Sequence, residues 1–137
     1  MPFASPPIDR IPQLLITDDD RAFRDSLAEA LTRRGFELLL ASDGCEALEI
    51  IRVQPVHLML VDMHMPRLSG LETLESLRKL KIATPCILMS AALDDRIADQ
   101  AEQLYTTTVM AKPFSLQSIT HAIRHILFDR YGWASSV

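Results

Sequence analysis

Apolar positions recur along this chain in two alternating patterns. Short, almost wholly apolar runs occupy residues 14–17, 36–41, 58–61 and 86–89, and a fifth run, led by threonine, occupies 108–111. Between them lie longer stretches in which apolar side chains return every three or four residues. Phe23, Leu27, Ala30 and Leu31 make the first such stripe, and Ala47, Leu48 and Ile51 the second. Leu71, Leu74 and Leu77 make the third, and Ile97, Ala101 and Leu104 a more polar fourth. Leu116, Ile119, Ile123, Ile126 and Leu127 make the fifth. The short runs predict strands and the stripes predict helices. The punctuation agrees. Gly35 stops the first helix, Pro55 closes the second, and Pro66 and Gly70 break the segment 63–70 as a loop. Pro85 introduces the fourth strand, and Lys112-Pro113 ends the fifth. Asp20, Asp43, either Asp94 or Asp95, and Ser115 stand where helix caps belong.

Five strands alternating with five helices predict an α/β fold built on a parallel sheet. The third strand is apolar on every residue, as suits a sheet covered on both faces. Its crossovers are expected to be right-handed. The 137 residues suffice for one domain with one good core. Residues 1–12 hold four of the eight prolines and read as a loose tail. The domain is expected over 13–128, with a short tail over 129–137.

Composition narrows the function classes. Hydrophobic residues make up 48 % of the chain, which excludes a disordered segment. The apolar runs are far too short to cross a bilayer, and no basic stretch leads into an apolar one as in a secretory leader. Cys45 and Cys86 have no metal-like spacing and favour a reducing, cytoplasmic setting. A net charge of −4 without a basic cluster argues against direct contact with nucleic acid.

In an open parallel sheet, ligands bind beyond the carboxyl ends of the strands. Those ends carry Asp18 and Asp19 after the first strand and Asp62 after the third. Ser90 follows the fourth and Lys112 the fifth. Three carboxylates, a hydroxyl and an ammonium are thus expected on one rim. Clustered carboxylates repel and call for a cation, and Mg²⁺ prefers such hard oxygen ligands. An aspartate beside Mg²⁺ can act as a nucleophile toward phosphorus. The metal and Lys112 can neutralise the developing charge, and Ser90 can donate to a phosphoryl oxygen.

The stretches LLITDDD, LMLVDMHMPRLSG, ILMSAA and MAKPF, in this order, resemble the signature of the receiver domains of two-component response regulators. The resemblance spans about residues 13–128. It implies a flavodoxin-like doubly wound sheet of strand order 2-1-3-4-5 with five helices. It also implies that Asp62 accepts a phosphoryl group from a histidine kinase or phosphotransfer protein. By the same resemblance Mg²⁺ is held by Asp19 directly, by Asp18 through water, by Asp62, and by the backbone carbonyl of His64. Ser90 and Lys112 hold the phosphoryl oxygens, and a cis bond falls at Lys112-Pro113. Phosphorylation is expected to switch a surface for a downstream protein. A homodimer through the fourth helix, fifth strand and fifth helix is a further option that the family opens. No output module follows residue 128, so either the chain works alone or it is one domain of a longer protein, and the start at Met1 with the proline-rich lead favours a stand-alone receiver.

One residue departs from the family. Three positions before the lysine, the family has an aromatic ring that moves inward on activation. Here Val109 stands there, and Tyr105 lies out of register. The remaining histidines read more simply. His57, His121 and His125 are expected on the surface or on a helix face, and the His64 side chain is expected to face solvent and gate water. Two other functions compete. A Mg²⁺-dependent phosphatase with an aspartate nucleophile wants a second acid two residues after the nucleophile, where this chain has His64. A receiver-like scaffold that is never phosphorylated would not need the full set of acids, Ser90 and Lys112. The chain is accordingly expected to be a switch rather than an enzyme acting on an outside substrate.

Overall fold

A computed structural model describes residues 7–9, 11–92, 94–104 and 107–135. Its elements alternate as expected. Strand β1 (Gln13–Thr17) leads to helix α1 (Arg21–Arg33), then β2 (Glu37–Ala41) and α2 (Gly44–Val53). Strand β3 (Leu58–Asp62) precedes α3 (Gly70–Lys79), and β4 (Cys86–Ser90) precedes α4 (Asp95–Glu102). Strand β5 (Thr107–Ala111) and α5 (Leu116–Tyr131) complete the order. All strand pairs are parallel, in the order β2-β1-β3-β4-β5.

The pleat sorts the strand residues between two cores. Leu14, Ile16, Leu58, Leu60, Ile87 and Met89 face α1 and α5. Leu15, Met59, Val61, Cys86 and Leu88 face α2, α3 and α4. Strands β3 and β4 are buried at every residue, which is why they read as unbroken apolar runs. β2 lies at an edge and is partly exposed.

Each helix begins on a side-chain cap. Asp20, Asp43, Asp94 and Ser115 accept from the backbone N–H three residues on. Helix α3 has a cap as well, in place of the loop expected there. Ser69 and Glu72 form a reciprocal capping box, so Gly70 opens a helix instead of breaking a loop.

Three expectations need correction. His57 is not on the surface: it is 5 % exposed, beneath the opposite end of the sheet from the acids. Its Nδ1 accepts from the backbone N–H of Gln13 at 2.9 Å, so the ring proton sits on Nε2, 3.1 Å from the Pro7 carbonyl. That contact, with Ile8 packed against the α1/α5 core, anchors part of the stretch read as a loose tail. Finally, α5 runs to Tyr131, into the expected C-terminal tail. Tyr131 donates to the His57 carbonyl at 2.6 Å, and Gly132, at φ 69°, supplies the left-handed turn that stops the helix. Trp133 then packs on Phe36. Tyr105 lies outside the described residues.

Candidate functional site

The parallel strands deliver their last residues to one rim. Asp18 follows β1 and is 1 % exposed, whereas its neighbour Asp19 is exposed. Asp62 and Ser90 are the final residues of β3 and β4, both buried, and Lys112 follows β5. The ladders continue just past the strands. Asp18 N–H donates to the Ala41 carbonyl, Met63 N–H to Met89, and Lys112 N–H to Ser90. These bonds fix where each side chain starts. Close packing fixes Asp62 further: a Cβ at Gly70 would lie 2.5 Å from the Asp62 carbonyl oxygen.

Asp18, Asp19 and Asp62 each present a carboxylate oxygen, all within 4.8 Å of one another. The Lys112 ammonium bridges two of them, 2.9 Å from Asp18 Oδ2 and 3.0 Å from Asp62 Oδ1. The other oxygen of Asp18 accepts from the Asp20 N–H at 2.9 Å, which ties the metal-like acids to the cap of α1. The Lys112-Pro113 bond is cis.

The electrostatics follow from this crowding. Burial pushes the Asp62 carboxyl above its ordinary value, and the charges of Asp18 and Asp19 push the same way, against the hydrogen bond and charge of Lys112. Burial alone would lower the Lys112 ammonium. Its hydrogen bonds to Asp18 and Asp62, and their charges, outweigh burial and raise it. One ammonium against three carboxylates leaves the cluster electronegative. Converging hard oxygens with an excess of negative charge fit a divalent cation such as Mg²⁺.

The expected residues do not all meet in the same way. Asp18, Asp19, Asp62 and Lys112 form one cluster. Ser90 closes the floor beside it, its Oγ accepting from the Ala92 N–H at 3.2 Å. The His64 ring is exposed as expected, but its Nε2 also reaches a long 3.5 Å contact with Ser90 Oγ. Val109 is half-buried against the α2/α3/α4 core and pairs with Leu88. The structure adds a residue read only as core: the ring of Phe23 lies under Lys112, with Nζ 3.9 Å from its centroid. The signal for it was the Asp20 cap, which sets Phe23 in the first turn of α1, beside the rim.

Comparison with known proteins gives a consistent family. The model of the response regulator receiver domain matches residues 14–124. The chain is 36 % identical over 118 residues to response regulator RR06 of Streptococcus pneumoniae, covering 86 % of this chain and 54 % of that protein. It is 35 % identical over 119 residues to response regulator MprA of Mycobacterium leprae, covering 84 % and 50 %. The chain thus spans about half the length of these curated relatives. Among solved structures, the CheY-like receiver domain protein of Methanospirillum hungatei superposes with a TM-score of 0.84 at 25 % identity, over 88 % of this chain and 97 % of that one. The response regulator TrrA of Thermotoga maritima, in complex with Mg²⁺–BeF, superposes with a TM-score of 0.77 at 27 % identity, over 85 % and 100 %. A match over so much of the chain, on a fold shared with solved receivers, places this chain in the response regulator receiver domain family.

Proposed function

We propose that this receiver accepts a phosphoryl group on Asp62, with a Mg²⁺ ion held by Asp18, Asp19, Asp62 and the backbone carbonyl of His64. The observation that carries this reading is the Lys112 ammonium bridging Asp18 and Asp62 inside a three-carboxylate cluster. A carboxylate oxygen of Asp62 attacks phosphorus, the bond from phosphorus to the donor breaks, and the donor leaves with its electron pair. The bound cation supplies charge neutralisation for the phosphoryl oxygens. Lys112 neutralises a further oxygen, and Ser90 donates a hydrogen bond to another.

The donor is a phosphohistidine on a sensor histidine kinase or a phosphotransfer protein. The acyl phosphate biases a surface that a downstream protein reads, in the cytoplasm. The chemistry is self-directed: Asp62 gains the group and later loses it to water, and no outside substrate is turned over. TrrA holds Mg²⁺ and a fluoride complex of beryllium, which supports a metal-assisted site in this chain by kinship. Among the described residues no helix is long and apolar enough to cross a membrane. Val109 has no ring to move inward, so the ring movement by which the family couples its site to the face of α4 and β5 has no counterpart at this position.

The test is intact mass after incubation with Mg²⁺ and acetyl phosphate. The reading expects a single phosphoryl gain that requires Mg²⁺, is labile to hydroxylamine and is absent from Asp62→Asn. No gain in the unaltered protein would favour a scaffold that works without phosphorylation.

A further inference from the structure

Phe23 has no part in the chemistry above, yet it touches the residue on which that chemistry turns. Its place is set from two sides. Asp20 caps α1 by accepting from the Phe23 N–H at 3.1 Å, which holds the residue in the first turn. Phe114, two residues beyond Lys112, meets the Phe23 ring edge to face, with centroids 6.0 Å apart and planes at 74°. Between these supports the Phe23 ring lies 3.9 Å from the Lys112 ammonium. The ammonium therefore has two carboxylates within 3.0 Å and an aromatic ring against it as well.

The identity of that ring matters physically. Lys112 ends a flexible four-carbon stem and is only 17 % exposed. A buried ammonium needs partners for its charge. The face of a benzene ring is electron-rich and attracts a cation, without being a rival acceptor that would pull it from the carboxylates. An aliphatic side chain of similar size would fill the space and supply none of that attraction. Among the described residues, the Phe23 ring is a contact of the ammonium that draws on none of the carboxylates a divalent cation would share.

We propose that Phe23 is a positioning residue: its ring holds the Lys112 ammonium beside Asp62 through a cation–π contact, and so sets how fast Asp62 accepts a phosphoryl group. The inference rests on the reading of Asp62 as phosphoacceptor. It makes the acidic stretch 18–20 do two things at once. Asp18 and Asp19 offer carboxylates to the site, and Asp20 places the ring that restrains the lysine.

The experiment uses the whole chain, with Mg²⁺ and acetyl phosphate, and reads the rate of phosphoryl gain by intact mass. Phe23→Leu is expected to slow the gain roughly three- to thirtyfold. Phe23→Trp, with a more electron-rich ring, is expected to keep the wild-type rate or exceed it. Replacing Phe23 with mono-, di- and trifluorinated phenylalanine withdraws charge from the ring face at nearly constant shape, and the rate is expected to fall stepwise along that series. A flat fluorinated series, with or without a slow Phe23→Leu, would overturn the proposal, because a merely steric shelf does not respond to ring electronics. If Phe23→Leu fails to fold, by its far-ultraviolet dichroism, the fluorinated series decides alone. A wild-type protein that gains no phosphoryl group overturns the phosphoacceptor reading and this inference with it. A wild-type gain with a flat series overturns this inference only.

Discussion

Gly70→Ala sets two ordinary effects against each other, and the structure says which wins. Gly70 opens α3, where alanine is the better helix former by up to about 1 kcal/mol, less at a first position than in the interior. Against that, a methyl group here would lie 2.5 Å from the Asp62 carbonyl oxygen, 2.7 Å from Leu88 Cδ1 and 2.9 Å from Met63 Cα. Two of those three atoms are backbone, and the third belongs to a fully buried leucine. None is the free end of a flexible chain, so relief requires the segment joining β3 to α3 to move. Overpacking of this kind costs about 1–3 kcal/mol, and more where backbone must shift.

The net expectation is a loss of about 1–2 kcal/mol. For a domain of this size that lowers the thermal midpoint by roughly 3–8 °C. Urea denaturation followed by far-ultraviolet dichroism measures it, with an unchanged m value showing that the denatured state is unaltered. The crowded atom belongs to Asp62, so phosphoryl gain from acetyl phosphate should slow in the same variant. A Gly70→Ala protein as stable as wild type, or more so, would show that helix propensity outweighs the clash and would refute the packing argument.

Other expectations follow from the same geometry. His57→Ala leaves the Gln13 N–H without its acceptor and should lower stability by about 2–3 kcal/mol in urea titration, whereas a surface histidine would be neutral. Asp43 caps α2, and the Glu46 N–H, helped by Arg67, holds its carboxyl below the ordinary 3.8 against the opposing effect of burial. Its folded value is depressed, so its contribution of about 1 kcal/mol is complete above that value and fades as the pH falls through the lower, folded value. Asp43→Ala should therefore be less stable than wild type near neutrality and converge with it in strong acid. An unchanged difference there would contradict the cap. Burial pushes the Cys86 thiol up to about 12, while Cys45 is exposed. A disulfide reagent should modify one thiol in the native protein and two after unfolding. Ionisation of Cys86 in the unfolded chain alone should erode stability as the pH rises from about 8.5 toward 12. Two native thiols reacting at equal rates would contradict the burial of Cys86.

Much of this was legible in the sequence because it depends on main-chain periodicity. Strands β3 and β4 are covered on both faces, so their sequences had no polar alternation to confuse with a helix. A parallel sheet sends every strand end to the same rim, so Asp18, Asp62, Ser90 and Lys112 could be gathered from their places after the strands. What was missed depends on side chains that converge without periodicity. His57 is a lone histidine before a strand, and nothing local announces that the Gln13 backbone and Pro7 close over it. Gly70 carries a breaker signal, and the reciprocal Ser69–Glu72 capping box overrides it. Phe23 belonged to a helical apolar stripe, and its helix-facing neighbours are core. Its second role depends on Lys112 arriving from a strand far along the chain.

Asp62 is the predicted carrier of the phosphoryl group among the acids of the site. Three acids crowd one site, and all three could in principle be modified. After phosphorylation with acetyl phosphate and Mg²⁺, borohydride reduces an aspartyl phosphate to homoserine, and peptide sequencing locates it. Homoserine at position 62, and at no other position, is the predicted result. Homoserine at 18 or 19, or its absence from a protein whose mass has risen, would contradict the assignment of Asp62 as the acceptor.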